Sequence, residues 1–177
     1  QEEYLDLTKL LCGSEGTLAF TTAITLHVDK LPPKHVGLVC AHFSSIRESM
    51  EAVLVTMQAE PFACELMDKI ILDCTKNNIE QTENRFFVEG DPAAVIVVEL
   101  RSDSEAHLKK QMDTLIENLK AANLGYSYPK VFGEDSKKVW NLRAAGLGLL
   151  SNIPGSAKPI ACIEDTAVAL PDLPAYI

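Results

Sequence analysis

The same spacing of apolar side chains occurs twice in the chain, each time after a run that is typical of a β-strand. The two runs are HVGLVCAHF at residues 35–43 and AAVIVVELR at residues 93–101. Apolar residues then recur at relative positions 0, +4, +7, +8 and +11, first from Ile46 to Met57 and again from Leu108 to Leu119. This is the period of a helix with one buried stripe. The pattern predicts helices over 46–57 and 105–121.

The residues around these helices predict how the repeat is closed. Each helix is expected to begin at a capping box, Ser45 with Glu48 and Ser102 with Glu105. A second strand-like run follows each helix, FACELMD at 62–68 and GYSYPKVF at 125–132. Two βαβ units in tandem predict an α+β fold, a ferredoxin-like antiparallel sheet with both helices on one face. The stretch 69–90 between the units is expected to lie over one end of the sheet.

The flanking segments have other patterns. Residues 16–28, GTLAFTTAITLHV, predict one strand or two short strands with a bend. Two prolines, Pro32 and Pro33, then indicate a linker, so we place a domain boundary that separates residues 1–32 from residues 33–177. A third helix is predicted over 135–151. Gly146 and Gly148 weaken its second half, and glycines at such positions often mark the close approach of another backbone or a ligand. IACIEDTAVAL then predicts a strand and PDLPAYI the start of a helix.

Composition and charge narrow the class of partner. The 177 residues carry a net charge of −9, which argues against nucleic acid or an anionic membrane as the main partner. The longest purely apolar run, Ala93–Val98, cannot cross a bilayer, so no transmembrane segment is expected. The chain opens at Gln1 with neither a signal nor a transit peptide and is interpreted as a piece of a longer protein.

The cysteines and histidines give no metal signature. The five cysteines form no CxxC pair, which favours buried, reduced thiols and a cytoplasmic location; they are Cys12, Cys40, Cys64, Cys74 and Cys162. The four histidines lack metal-ligand spacing and are interpreted as surface or structural residues; they are His27, His35, His42 and His107. We therefore expect no metal site in this chain.

CGSEGTLAF is the first candidate for chemistry. Gly13 and Gly16 leave the backbone open to a flat ring or a pyrophosphate, while Ser14 and Thr17 offer hydroxyl groups. By itself the motif favours an ordinary turn. Arg143 is the second candidate, because a guanidinium group can bind a carboxylate with two parallel hydrogen bonds. An arginine that is solvated or in a salt bridge explains the sequence equally well.

Three motifs in order carry a family resemblance. CGSEGTLAFTTAITLHVDKLPP, VWNLRAAGLGLL and CIEDTAVALPDLPAYI resemble FAD-linked oxidases of the vanillyl-alcohol-oxidase type, in their D-lactate, glycolate and D-2-hydroxyglutarate dehydrogenase branch. The stretch GLGLLSNIPGSAKPIACIEDTAV is similar to the large bacterial members with an added iron–sulfur segment. The resemblance implies that residues 1–32 end an FAD-binding domain and that 33–177 form an incomplete substrate cap.

The resemblance also assigns roles. It implies FAD contact by Gly13, Ser14, Glu15, Gly16 and Thr17, and contact of Arg143 and Lys158 with a small 2-hydroxy acid that transfers hydride to the flavin. The rest of the flavin domain is expected upstream, and the metal motif and the catalytic histidine downstream, so no catalytic residue is assigned here. The isolated chain is expected to bind no FAD and to be inactive.

Adjacent Glu164 and Asp165 would point to opposite faces of a strand, unlike paired catalytic acids. The alternative is a cofactor-free ferredoxin-like regulatory or ligand-binding module.

Overall fold

A computed structural model describes residues 6–76, 78–151, 155–158 and 166–177, with Leu147 described by its backbone alone. The chain divides into two units, residues 1–31 and residues 32–177. The second unit contains a four-stranded sheet in the order β2-β3-β1-β4. The strands are β1 (His35–Phe43), β2 (Ala63–Asp68), β3 (Ala94–Ser102) and β4 (Lys130–Phe132). The α-helices are α1 (Thr8–Cys12), α2 (Ile46–Thr56), α3 (Lys69–Lys76), α4 (Ile79–Thr82), α5 (Glu105–Ala121), α6 (Asp135–Ser151) and α7 (Leu173–Tyr176). Short 3₁₀ turns cover Met57–Ala59, Glu83–Arg85 and Leu170–Asp172.

All three strand pairings are antiparallel. Val39 of β1 lies opposite Val98 of β3, and Leu38 lies opposite Val131 of β4. Leu66 of β2 lies opposite Ile96 of β3. β1 and β3 are therefore central, and each helical connection α2 or α5 passes over one of them to reach an edge strand. The predicted α+β fold with an antiparallel sheet is confirmed.

The first face of the sheet carries the two repeated helices, α2 and α5, as predicted. Side chains from alternate positions of β1 and β3 pack against both helices in one apolar cluster. Leu108, Met112, Leu115, Ile116 and Leu119 are the buried stripe of α5. A Cβ at Gly37 would lie 2.6 Å from Met112 Sδ, so this glycine allows α5 to approach β1 closely.

The second face is covered by the insertion and by α6. Leu72 of α3, Phe87 of the following turn, and Val139 and Leu142 of α6 pack on the other side of the central strands. The expectation that residues 69–90 lie over one end of the sheet was therefore wrong. Side chains of β1 and β3 alternate between the two faces, and those on the second face are apolar as well. They must therefore be buried by further elements.

The predicted cap residue of α2 is correct, whereas that of α5 is displaced. Ser45 Oγ accepts the Glu48 N–H at 3.1 Å, and α2 begins directly after Ser45. At α5 the cap is Ser104, whose Oγ accepts the His107 N–H at 3.4 Å. Ser102 still belongs to β3, and its Oγ accepts the N–H of Ser104 at 3.2 Å. Because α5 begins at Glu105, its cap is the residue directly before it, Ser104, so the Ser102 assignment was wrong.

The first unit does not form the predicted strand. Within described residues 16–28 the backbone has no β-strand after α1. Every side chain of this segment is exposed, including the large apolar ones Phe20, Ile24 and Val28. A strand is stabilised by hydrogen bonds to a neighbouring strand, and the described residues provide no such neighbour for it. The assignment of residues 1–32 to a flavin domain stays a prediction.

For the C-terminal residues 160–177 a strand and the start of a helix were predicted. The predicted helix start is present as α7, and Leu173 packs against the cluster of the first face. Of the predicted strand IACIEDTAVAL, residues 160–165 lie outside the described residues. Residues 166–169 are not a strand.

The cysteine prediction holds only in part. The four cysteines that the structure describes have free thiols. Cys40 is buried as predicted, and burial raises its pKa to about 12. Cys12 is exposed, because it lies on α1, a helix without buried residues. Cys162 lies outside the described residues.

In the part of the chain that the structure describes, no helix combines the length and the apolar character needed to cross a membrane.

Candidate functional site

The second face of the sheet holds two carboxylates against one side of α6. Trp140 and Arg143 are one helical turn apart and so lie on the same side of the helix. Trp140 Nε1 donates to Glu99 Oε2 at 2.9 Å. Arg143 donates from Nε and Nη2 to Glu65 Oε2, at 3.1 and 2.7 Å. These two contacts fasten the Trp-x-x-Arg side of α6 to the sheet.

Strand register brings the two carboxylates together. Glu65 of β2 lies opposite Val97 of β3, and Ala63 of β2 lies opposite Glu99 of β3. Because residues two apart on a strand share a face, Glu65 and Glu99 both point to the side on which Val97 is buried. The β2–β3 pair therefore presents two carboxylates to α6.

Glu99 is the buried member of the pair. It is only 5% exposed. Its Oε1 accepts from Arg101 Nε at 2.5 Å, and its Oε2 accepts from Trp140. Arg101 Cζ in turn lies 3.4 Å from the centre of the Phe62 ring. A buried carboxylate is tolerated only when it is paired and hydrogen-bonded, and both oxygens of Glu99 meet that condition.

Arg143 is the accessible member of the group. Its side chain is 48% exposed, and that of Glu65 is 40% exposed. An ion pair with that exposure contributes little to stability, typically about 0–1 kcal/mol. Glu65 takes one N–H from Nε and one from Nη2, out of the five N–H groups of a guanidinium. Among the described residues Nη1 donates to no acceptor, so the outer end of the fork is available to a ligand.

The C-terminal segment of the second unit holds the remaining predicted residue, Lys158. Lys158 is exposed in segment 155–158, three residues after Gly155, which has a φ of +105°. Its predicted contact with substrate stays a prediction. Glu164 and Asp165 lie outside the described residues.

The GSEGT stretch forms a tight turn. The Thr17 N–H donates to Ser14 O at 3.0 Å, and the two residues between them have positive φ, +50° for Glu15 and +77° for Gly16. This is the φ pattern of a type I′ turn. Gly16 has open space on the side where a Cβ would stand. Gly13, in contrast, has an ordinary right-handed backbone, so its conformation does not require glycine.

The predicted hydroxyl donors of this turn are engaged internally. Ser14 Oγ donates to Leu11 O at 2.7 Å, and Thr17 Oγ1 donates to Ser14 O at 2.7 Å. The backbone amides of Glu15 and Gly16 donate to no main-chain carbonyl of the described residues. At this turn the two amides therefore have no main-chain acceptor, whereas both hydroxyl protons are already donated.

His42 is a buried structural histidine, as predicted. The Glu89 N–H donates to its Nε2 at 3.0 Å, so Nδ1 carries the proton and donates to Cys40 O at 2.8 Å. Burial lowers the pKa of His42, and hydrogen bonding to Cys40 O opposes that effect. The described residues contain no group of three or more His, Cys, Asp or Glu that could hold a metal ion.

Sequence reasoning missed Glu65 and Glu99. Glu99 did leave a signal, since it is the only charged residue between Ala93 and Leu100 in a strand that otherwise reads as fully buried. A charge in such a run is expected to have a partner. Glu65 left a weaker signal in FACELMD, where it stands at an alternate position of an edge strand.

Comparison with known proteins assigns the family. Residues 32–177 match the family described as FAD linked oxidases, C-terminal domain. The chain belongs to this family. The resemblance predicted from its motifs is confirmed.

Curated relatives match along nearly the whole chain. A D-2-hydroxyglutarate dehydrogenase of Pantoea ananatis is 29% identical over 97% of the chain, and one of Escherichia coli is also 29% identical over 97%. A mitochondrial D-lactate dehydrogenase [cytochrome] of Arabidopsis thaliana is 27% identical over 95%. The chain spans 18% of the length of the first two relatives and 28% of the third.

Proposed function

We propose that this chain is the substrate-cap part of an FAD-dependent oxidoreductase that oxidises a small 2-hydroxy acid. The single observation that carries the site is Arg143, half-exposed on α6, with the outer end of its guanidinium available. Membership of the FAD-linked oxidase C-terminal family and the names of the relatives support this function over a cofactor-free regulatory module. In this proposal residues 1–32 end the FAD-binding domain and residues 33–177 belong to the cap.

Arg143 binds the carboxylate of the substrate. A planar carboxylate matches two parallel N–H groups of a guanidinium, which fixes the orientation of the substrate as well as its position. Lys158 adds a second positive charge to the same substrate. Its flexible ammonium provides attraction without planar alignment. The catalytic base and any metal ligands are supplied by other parts of the complete protein.

The turn at residues 13–17 fits contact with FAD. The open side of Gly16 leaves room for a flat or bulky polar group, and the amides of Glu15 and Gly16 are donors for its oxygens or nitrogens. Bound FAD supplies the hydride acceptor for oxidation of the hydroxyl-bearing carbon. In the complete protein an iron–sulfur segment or another electron acceptor would receive the electrons. The free thiols of the described cysteines fit a reducing, cytoplasmic compartment.

Steady-state kinetics of the complete protein tests the role of Arg143. A hydrogen bond to a charged group contributes about 1.5–3 kcal/mol, so the loss of two in Arg143→Ala should lower kcat/KM for D-2-hydroxyglutarate or D-lactate by about two orders of magnitude or more. Arg143→Lys should recover little, because an ammonium lacks the fork. Lys158→Ala should have a smaller effect than Arg143→Ala.

The control is Arg47→Ala on α2, an exposed arginine paired with Glu51. It removes the same charge far from the proposed site and should leave kcat/KM unchanged. Flavin absorbance should give equal FAD content in all variants. A value of kcat/KM for Arg143→Ala within threefold of the parent would mean that Arg143 is structural. In the same assay the isolated 177-residue chain should show no flavin absorbance and no turnover.

A further inference from the structure

We propose that Glu65 is a positioning residue for Arg143, which it holds so that the Nη1 end of the guanidinium faces the incoming carboxylate. The inference rests on the proposed function, since it assumes that Arg143 binds substrate. It concerns a residue that acts through Arg143 and has no contact of its own with the substrate.

The contact geometry supports orientation rather than simple neutralisation. Nε and Nη2 of Arg143 converge on one oxygen, Glu65 Oε2, at 3.1 and 2.7 Å. This grips the side of the fork nearest the aliphatic chain. The remaining edge, between Nη1 and the second N–H of Nη2, still has two parallel donors for a substrate carboxylate. One arginine can therefore contact Glu65 and the substrate together.

Both ends of this contact stand on well-fixed elements. Glu65 lies in β2, directly opposite Val97 of β3. The helix that carries Arg143 is anchored by Val139 and Leu142, which are fully buried against the second face. One turn before Arg143, Trp140 is bonded to the buried Glu99. A functional side chain on a rigid element with a second supporting contact is held in one geometry.

The energetic benefit is preorganisation. A free arginine side chain loses rotamer entropy when it binds a ligand, and a contact that already restricts it reduces that loss. The negative charge of Glu65 acts in the opposite direction, because it weakens the attraction between Arg143 and an anion. Solvent screens that charge, since both side chains are nearly half exposed. We therefore expect orientation to outweigh repulsion.

Kinetics of the complete protein with D-2-hydroxyglutarate and D-lactate distinguishes these effects. Glu65→Ala should raise KM about fivefold to tenfold, the effect of leaving one long side chain unrestricted, with kcat changed less than twofold. Glu65→Gln should recover most of the loss, because its amide oxygen still accepts from Arg143. A matched control is Glu51→Ala on α2, which breaks the surface pair with Arg47 and should change neither constant.

A double variant separates positioning from a general structural role. If Glu65 acts only through Arg143, the Arg143→Ala/Glu65→Ala variant should have the same kcat/KM as Arg143→Ala alone. Additive losses in the double variant, or a fall in thermal midpoint with no change in KM, would assign Glu65 a structural role. A lower KM in Glu65→Ala would make Glu65 a competitor of the substrate and overturn the proposal.

Failure of this inference is distinguishable from failure of the proposed function. A silent Arg143→Ala variant removes both, because there is then no bound carboxylate to orient. If Arg143→Ala lowers kcat/KM strongly while Glu65→Ala changes neither KM nor kcat, the proposed function stands and only the positioning role is removed.

Discussion

The two faces of the sheet are made from the same strands but have different chemistry. On the first face, the buried strand side chains are apolar, among them Val39, Phe43 and Ile96. On the second face, β1 contributes His42 and β3 contributes Glu99, each with two hydrogen-bond partners. The first face is held by non-directional burial, whereas the second also contains directional contacts that fix α6. The proposed site lies on the second face.

The two faces differ in how strictly their contacts fix the positions of side chains. Apolar packing tolerates changes of similar volume, while a buried polar pair requires both partners in place. A face that must hold an arginine in one geometry benefits from the second kind of contact. The first face is expected to dominate stability, and the second to dominate pH dependence and, in the proposed function, substrate binding.

The largest expected effect belongs to the first face. Leu119→Ala removes a fully buried side chain of α5 and should lower the free energy of unfolding by about 2–5 kcal/mol. Urea denaturation of the 177-residue chain, followed by circular dichroism, measures this loss. The control Leu31→Ala removes an exposed leucine of the first unit and should stay within about 0.5 kcal/mol of the parent. A loss below 1 kcal/mol for Leu119→Ala would contradict the assignment of this face as the main core.

The second face should give the chain a pH dependence. The pKa of His42 is lowered in the folded state by burial, so the unfolded chain binds a proton more readily than the folded one. Stability should therefore fall as pH decreases below about 6.5, the ordinary pKa of histidine, down to the lowered pKa of His42, with a slope of at most about 1.4 kcal/mol per pH unit. Urea titrations at pH values from 8 to 5 measure the slope.

Substitution of His42 tests whether that slope belongs to the second face. His42→Phe removes the titrating group. The free energy of unfolding should then depend less on pH above pH 5, whatever the effect of the substitution on absolute stability. Leu119→Ala should shift the whole curve without changing its slope. An unchanged slope in His42→Phe would mean that other groups produce the pH dependence.

The smallest expected effect separates two glycines of α6. Gly148 has open space around its missing side chain, so Gly148→Ala should stabilise the chain by up to about 1 kcal/mol. At Gly146 an added Cβ would lie 3.2 Å from Ile71 Cδ1 of α3, so Gly146→Ala should gain less or lose stability. Thermal unfolding of both variants checks the difference. Equal gains would show that α3 can move away from α6 without cost.

Periodicity predicted the sheet and the two repeated helices because their side chains follow one simple rule of burial. Arg143 became a candidate through the chemistry of its guanidinium group and the family resemblance, not through periodicity, and its role stays a prediction. Periodicity did not predict the use of the second face, since α3 and α6 bury their sides in contacts between segments far apart in sequence. Glu65 was missed for the same reason: its partner Arg143 is 78 positions away, and only the tertiary fold brings them together.

The position of the second helix cap and the missing strand have local causes. Ser102 and Ser104 are both acceptable caps, and the length of β3 decides between them. Residues 16–28 have the composition and alternation of a strand, but alternation alone does not supply a neighbouring strand.

That unpaired segment has a practical consequence for handling the isolated chain. From Thr21 to Val28 it is rich in β-branched residues, lacks proline and carries no charged side chain apart from the titratable His27. Segments of this kind pair readily with one another when their edges are free. At high concentration the chain should self-associate first through these residues, and a reversible precipitate would be a property of this one segment rather than a sign that the sheet has unfolded.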